Sequence, residues 1–185
     1  MPEVWLHTNR RAMLLGMLVP GALVAVGLGL LIAGFTQSST LLLAIGGGLL
    51  LFGTFAILNL LYWLQLPRLA YERGELLVYL RGKDPIRVPI EIVEVFFLGQ
   101  GSSPLPRQRG QETETTNIVV RLAESATEWK QRDVDLRLGL WCESYITIQG
   151  AWCEPIGEPQ MARLNQRLIE AHREQKRERQ AQGAS

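Results

Sequence analysis

Residues 12–67 read AMLLGMLVPGALVAVGLGLLIAGFTQSSTLLLAIGGGLLLFGTFAILNLLYWLQLP, 56 positions without one Asp, Glu, Lys or Arg. All 19 basic and 18 acidic side chains of the 185-residue chain lie outside this run. The net charge of +1 is thus an average over unlike parts, and an ordinary one-domain soluble protein is excluded. A polar cluster, Thr36-Gln37-Ser38-Ser39-Thr40, divides the run into residues 12–35 and 41–66. A helix needs about 20 apolar residues to cross about 30 Å of hydrocarbon. Both stretches are long enough, with length left for tilt. A polar link this short joins only antiparallel neighbours, so the run predicts a two-helix transmembrane hairpin.

The charges that flank the hairpin predict its orientation. Arg10 and Arg11 precede the first span, Arg68 and Arg73 follow the second, and the connecting loop has no charge. Positive charge marks the cytoplasmic side. Both termini are therefore expected in the cytoplasm, in a multi-pass protein of a cell (inner) membrane. Trp5 and Tyr62-Trp63 fall where an interfacial aromatic belt is expected. The apolar stretch after Arg11 is too long for a signal-peptide core, and no A-x-A site follows it.

Within the spans, Gly21, Ala25, Gly29 and Ala33 recur every four residues, and so do Thr40, Ala44 and Gly48. Small residues at that spacing let helix backbones approach closely. They are candidate helix-packing positions, used either by the hairpin itself or against another membrane protein or a second copy of the chain. Pro20 is expected to kink the first helix. Asn59 is the strongest polar side chain deep in the second span, and an interhelical hydrogen bond is expected for it. With no acid or base inside the spans, ion-coupled transport by this chain alone is not expected.

After Pro67 the pattern changes to short β-prone runs. Leu69–Glu72, Arg73-Gly74 and Glu75–Leu80 read as a hairpin. Arg81–Pro85 reads as a turn. Ile86, Val88, Ile90 and Ile92 alternate with polar residues in a half-buried strand, which Pro89 confines to an edge or interrupts. Val93–Leu98 is a strand with apolar residues on both faces. Residues 99–116 are rich in Gly, Ser, Pro, Gln and Thr and predict a long loop, disordered or a binding loop. Strands follow at 117–123, 129–134 and 145–149. Pro159 then opens a helix whose apolar stripe is Met161, Leu164, Leu168, Ile169 and His172. The implied divisions are an N-terminal cytoplasmic segment (1–11), the hairpin (12–66), a β-rich domain (68–172) and a basic polar tail (173–185).

Several short antiparallel strands closed by one amphipathic helix resemble the pleckstrin-homology (PH) roll. The chain is similar to bacterial membrane proteins that place such a domain after one or two spans. The residues that carry this are Tyr71-Glu72-Arg73-Gly74-Glu75-Leu76, the Val88-Pro89-Ile90-Glu91-Ile92-Val93-Glu94-Val95 step, and the final strand and helix up to His172. The fold class expected is therefore a membrane α-hairpin plus an α+β domain, an antiparallel β roll (PH-like) closed by a C-terminal amphipathic helix. The layout alone also looks like photosystem assembly factors of thylakoids. The PH resemblance implies a non-catalytic module that binds peptides, other domains or lipid headgroups, or its own copies. Headgroup binding in such rolls uses a basic loop between early strands, and here that place holds Arg81, Lys83 and Arg87.

The remaining chemistry is sparse. Cys142 and Cys153 each follow a Trp, as a disulfide or redox pair or as two small buried residues flanking one strand. Two cysteines with His7 and His172 do not make the four close ligands of a structural zinc site, so no metal and no cofactor is expected. Glu72, Glu91, Glu94, Asp133, Asp135 and Glu143 are acid–base candidates by residue type only. The β-rich region is net acidic, so nucleic acid is not an expected partner. The expected role is a non-enzymatic, membrane-anchored scaffold or adaptor that presents an edge or loop to a protein partner at the cytoplasmic face. The alternatives are an accessory or homo-oligomeric subunit of a transport complex and a lipid-headgroup-binding module. The lipid bilayer is a partner on every reading.

Overall fold

The computed structural model describes residues 2–102 and 114–183. Contacts divide the chain into two units, Asn9–Leu66 and a second made of Met1–Thr8 with Pro67–Ser185.

The first unit is helical, with α1 (Arg10–Gly16), α2 (Leu18–Thr36) and α3 (Thr40–Gln65). The Asn9 side chain caps α1, its Oδ1 accepting from the Ala12 N–H at 3.2 Å. The interruption at Met17 has its cause at Pro20, which lacks an N–H and so cannot pair with the Gly16 carbonyl four residues earlier. Residues 10–36 and 40–65 are each long and apolar enough to cross a membrane. The two long helices pack through Gly27 and Gly34 on α2 and Gly46 and Gly53 on α3, all buried. A Cβ on Gly27 would lie 2.8 Å from the Leu50 nitrogen, and one on Gly46 would lie 2.8 Å from the Gly27 oxygen. Only glycine permits backbones this close.

The second unit has eight described strands in two antiparallel sheets. The strands are β1 (Glu3–Leu6), β2 (Leu69–Glu72), β3 (Glu75–Val78), β4 (Ile86–Pro89), β5 (Val93–Ser102), β6 (Glu114–Leu122), β7 (Gly139–Cys142) and β8 (Tyr145–Ile148). One sheet runs β1-β2-β3-β4, the other β5-β6-β8-β7. A final helix, α4 (Glu158–Gly183), completes the unit. Arg73 and Gly74, both with positive φ (51° and 82°), make the two-residue β2–β3 turn, the geometry that matches strand twist. A register shift between Val93 and Val95 lets both Val93 and Phe96 face inward despite their odd spacing.

Leu69, Leu76, Val78 and Val88 of the first sheet meet Phe96, Ile118, Val120, Ile146 and Ile148 of the second in one core. Helix α4 adds Met161, Leu164, Leu168 and Ala171 at spacings of three and four. It also ties down the edge of the second sheet. Asn165 Oδ1 accepts the Phe96 N–H at 2.9 Å, and its Nδ2 donates to the Phe96 carbonyl at 2.8 Å. The side-chain amide thus stands in for a missing strand at the free side of β5.

Several expectations change. The N-terminal segment contains an edge strand: β1 pairs with β2, Glu3 opposite Tyr71 and Leu6 opposite Leu69, and buries Trp5 and Leu6. The expected loop 99–116 is strand at both ends, with Gly99 opposite Asn117 and Ser102 opposite Glu114. A ladder is made by backbone groups, so polar composition does not prevent it. Residues 103–113 of that segment, including Arg107 and Arg109, lie outside the described residues. Residues 129–134 form no strand; a short 3-10 turn spans Thr127–Trp129 and irregular chain follows. Instead β7 pairs with β8. Ile169 is exposed, and Ala171 takes its place in the apolar stripe. Cys142 and Cys153 are free thiols, one exposed and one buried.

Candidate interaction surface

The second sheet has an inner face in the core and an outer face that is exposed in part. Strand alternation sends Phe96, Ile118, Val120, Ile146 and Ile148 inward. The opposite face carries a row that crosses all four strands through the pairings Phe97–Val119, Val119–Thr147 and Thr147–Leu140. Phe97 is 39% exposed and Leu140 50%, while Val119 is buried at 9% and Thr147 is half-buried between them. The adjacent row brings Val95, Arg121, Tyr145 and Cys142 together. Tyr145 meets Phe97 edge-on, ring centroids 6.3 Å apart. At the margin, Arg121 bridges Glu94 at 3.0 Å and Glu124 at 3.3 Å. An apolar centre with a charged rim is the anatomy of a protein-binding patch. Its sequence signal is the run Val95–Leu98, apolar on both faces where a one-sided sheet would alternate.

A second concavity lies between α4 and strands β1 and β2. It has a volume of about 510 Å³ and is lined by Glu3, Trp5, Tyr71, Arg167 and Glu174 among others. Trp5 stacks on Tyr71 with centroids 5.3 Å apart. Some of its polar groups are already paired within the fold. Arg167 donates to the Val4 carbonyl at 2.8 Å and pairs with Glu3 at 3.5 Å, and the Tyr71 hydroxyl donates to Glu174 at 3.4 Å. Burial, with Glu174 and Glu178 nearby, raises the Tyr71 phenol above its ordinary value. Glu3, Arg167, Tyr71 and Glu174 are thus engaged in contacts between α4 and the first sheet.

The basic turn is divided among separate carboxylates. Arg81 pairs with Asp133 at 3.6 Å, while Arg87 pairs with Glu75 across the β3–β4 ladder at 3.0 Å. Lys83 stands exposed on the turn. Of the acid–base candidates, Glu91 bonds Gln175 at 2.6 Å and pairs with Arg179. Glu94 holds Arg121, and Asp135 chelates Arg137 at 2.9 Å. Glu91, Glu94, Asp133 and Asp135 thus occupy separate surface pairs. His172 Nε2 donates a hydrogen bond to the Ile90 carbonyl at 2.8 Å, fixing α4 against the chain after β4. Among the described residues no cluster of three His, Cys, Asp or Glu side chains is placed to hold a metal.

In the helical unit, the four-residue stripe lies away from the hairpin contact. A Cβ on Gly21, Gly29 or Gly48 would meet nothing within 4 Å. Ala25 and Ala44 are exposed and Ala33 is half-buried. The helix pair instead uses the seven-residue spacings Gly27–Gly34 and Gly46–Gly53, the period of a left-handed pair. Asn59 is exposed on α3 and makes no interhelical bond among the described residues.

Arg68, the second residue after the helical unit, is buried at 2% exposure. Its Nε donates to the Trp152 carbonyl at 3.3 Å. Desolvation lowers its pKa, opposed by the neighbouring Cys153 thiol.

No protein-family model, no curated protein and no solved structure matches this chain.

Proposed function

We propose that the chain is a non-enzymatic, membrane-anchored adaptor. Two helical spans hold a PH-like domain at the cytoplasmic face of a bacterial inner membrane, and the outer face of its second sheet takes a protein partner. The observation that carries this reading is the exposure of Phe97, Leu140 and Tyr145 on one sheet face, with the buried Val119 and half-buried Thr147 between Phe97 and Leu140. A soluble face has little reason to present these side chains to water unless something covers them.

The PH-like reading is supported by the order of parts: two antiparallel sheets over one core, closed by a last helix that bonds to strands of both. The same-side placement of the two ends is supported by the β1–β2 ladder, which joins chain before the first span to chain after the second. The cytoplasmic assignment rests on Arg10, Arg11, Arg68 and Arg73 flanking an uncharged loop.

The test is capture of partners from membranes by the tagged full-length chain in mild detergent. A stoichiometric protein lost on the double change Phe97→Glu and Leu140→Glu, with the thermal transition of the domain unchanged, supports the reading. Retention of the same partner by that variant sinks it.

A further inference from the structure

The outward face of α3 carries a pattern that the hairpin does not use. Leu41, Ile45, Gly48, Phe52, Phe55, Asn59 and Tyr62 follow spacings of four and three, and all are exposed. At about 100° per residue this stripe lies opposite Gly46 and Gly53, the residues that face α2. Spacings of four and three repeat every seven residues, the period of a left-handed helix pair. Six of the seven positions are apolar or aromatic. The seventh is an amide.

Asn59 sits one turn inside the Tyr62–Trp63 pair on a 26-residue helix. That helix is about 39 Å long at 1.5 Å per residue, longer than a hydrocarbon core of about 30 Å. An amide facing hydrocarbon leaves its N–H₂ and C=O without partners, which is costly. Asn59 is six residues from the end of α3, so on a centred helix it lies roughly one turn inside the hydrocarbon edge, and its Cβ tilts toward the N-terminus, away from that edge. The chain's own spans offer few answers: residues 12–35 contain no polar side chain, and residues 41–61 contain only Thr54 and Asn59.

The geometry points to a second copy of this chain as the occupant, docked through an α3–α3 contact about a twofold axis with Asn59 against Asn59. Two copies inserted with the same topology run their α3 helices parallel, so the two amides meet at the same depth. An amide is its own complement, since the N–H₂ of one donates to the C=O of the other and the reverse. A single Asn in an apolar seven-residue stripe fixes register and favours a pair, and Gly48 permits close approach of the helices at the other end of the stripe. The inference rests on α3 lying in a bilayer and is independent of the sheet face proposed for the adaptor's partner.

The test uses the full-length chain in lipid vesicles, labelled on the exposed Cys142 thiol with donor or acceptor dye. Energy transfer is followed as lipid is added. Wild type is expected to show transfer that falls with dilution. Asn59→Leu should move the midpoint by on the order of tenfold toward higher protein-to-lipid ratio. Asn59→Gln should retain most of the association. Gly29→Ile, on the far face of α2, should leave the midpoint in place. Transfer absent at every ratio in wild type, or a midpoint indifferent to Asn59→Leu, overturns the proposal. Loss with Gly29→Ile but not with Asn59→Leu overturns it in favour of the α2 face. Release of the chain from vesicles by carbonate overturns both this and the membrane reading.

Discussion

Trp141-Cys142 and Trp152-Cys153 are the same dipeptide in sequence, and the fold treats them oppositely. In β7, alternation sends Trp141 into the core at 4% exposure and turns Cys142 outward. Cys153 follows a 3-10 turn and is buried at 1% exposure beside Arg68. Burial pushes its thiol up to about 12, and the Arg68 charge offsets only part of that. A thiolate is the reactive form, so near pH 8 Cys153 is both shielded and protonated. Maleimide treatment of the folded protein at that pH is expected to modify Cys142 alone, read by intact mass, with the second addition appearing only in denaturant. Equal rates at both thiols would mean that the chain around residue 153 is not packed as described. The repeated dipeptide made the two cysteines look equivalent. Which of them faces water depends on the phase of a strand whose partner is β8, and a four-residue run such as Gly-Leu-Trp-Cys does not announce that phase.

The hairpin carries the same lesson at the scale of helices. Two long apolar helices in succession and the break near Pro20 were legible, because the absence of charge and the length of an apolar run are one-dimensional properties. The packing face was not. The two long helices hold two small-residue series: the four-residue set Gly21, Ala25, Gly29 and Ala33, and the seven-residue pairs Gly27–Gly34 and Gly46–Gly53. Composition does not choose between them; the neighbours Pro20 and Val24, which meet Gly53, do. Substitution separates the two sets. Gly27→Leu puts side chain against the Gly46 carbonyl, 2.9 Å from where its Cβ would stand, and should open the helix pair. A Cβ at Gly29 meets nothing within 4 Å, so Gly29→Leu should be tolerated. Heating the detergent-solubilised protein should show a transition lowered by several degrees for Gly27→Leu, an overpacking cost of about 1–3 kcal/mol, and little change for Gly29→Leu. The reverse order would assign the contact to the four-residue stripe.

At the scale of the whole chain, the least legible element is the one that joins its two ends. Glu3–Leu6 is a four-residue run more than sixty positions from β2, and local pattern says nothing about a partner so distant. Yet β1 fills the edge beside β2 and contributes Trp5 and Leu6 to the core, both essentially buried. Trp5 also packs on Phe96 with centroids 6.2 Å apart, reaching the second sheet. The β-rich unit is therefore not encoded by residues 67–185 alone. Losing a buried Trp costs about 3–5 kcal/mol, a large share of the roughly 5–15 kcal/mol that holds a domain together. A fragment of residues 67–185 should consequently unfold at markedly lower denaturant than a fusion in which residues 2–8 are joined to residue 67 by a flexible Gly/Ser linker. In that fusion Trp5→Ala should return the midpoint most of the way to that of the fragment, because the indole and not the extra length supplies the stability. Equal midpoints for fragment and fusion would detach β1 from the fold. They would also break the one ladder that ties chain before the two long helices to chain after them, since Glu3 to Leu6 and Leu69 to Tyr71 meet only if the helices between them return the chain to where it left.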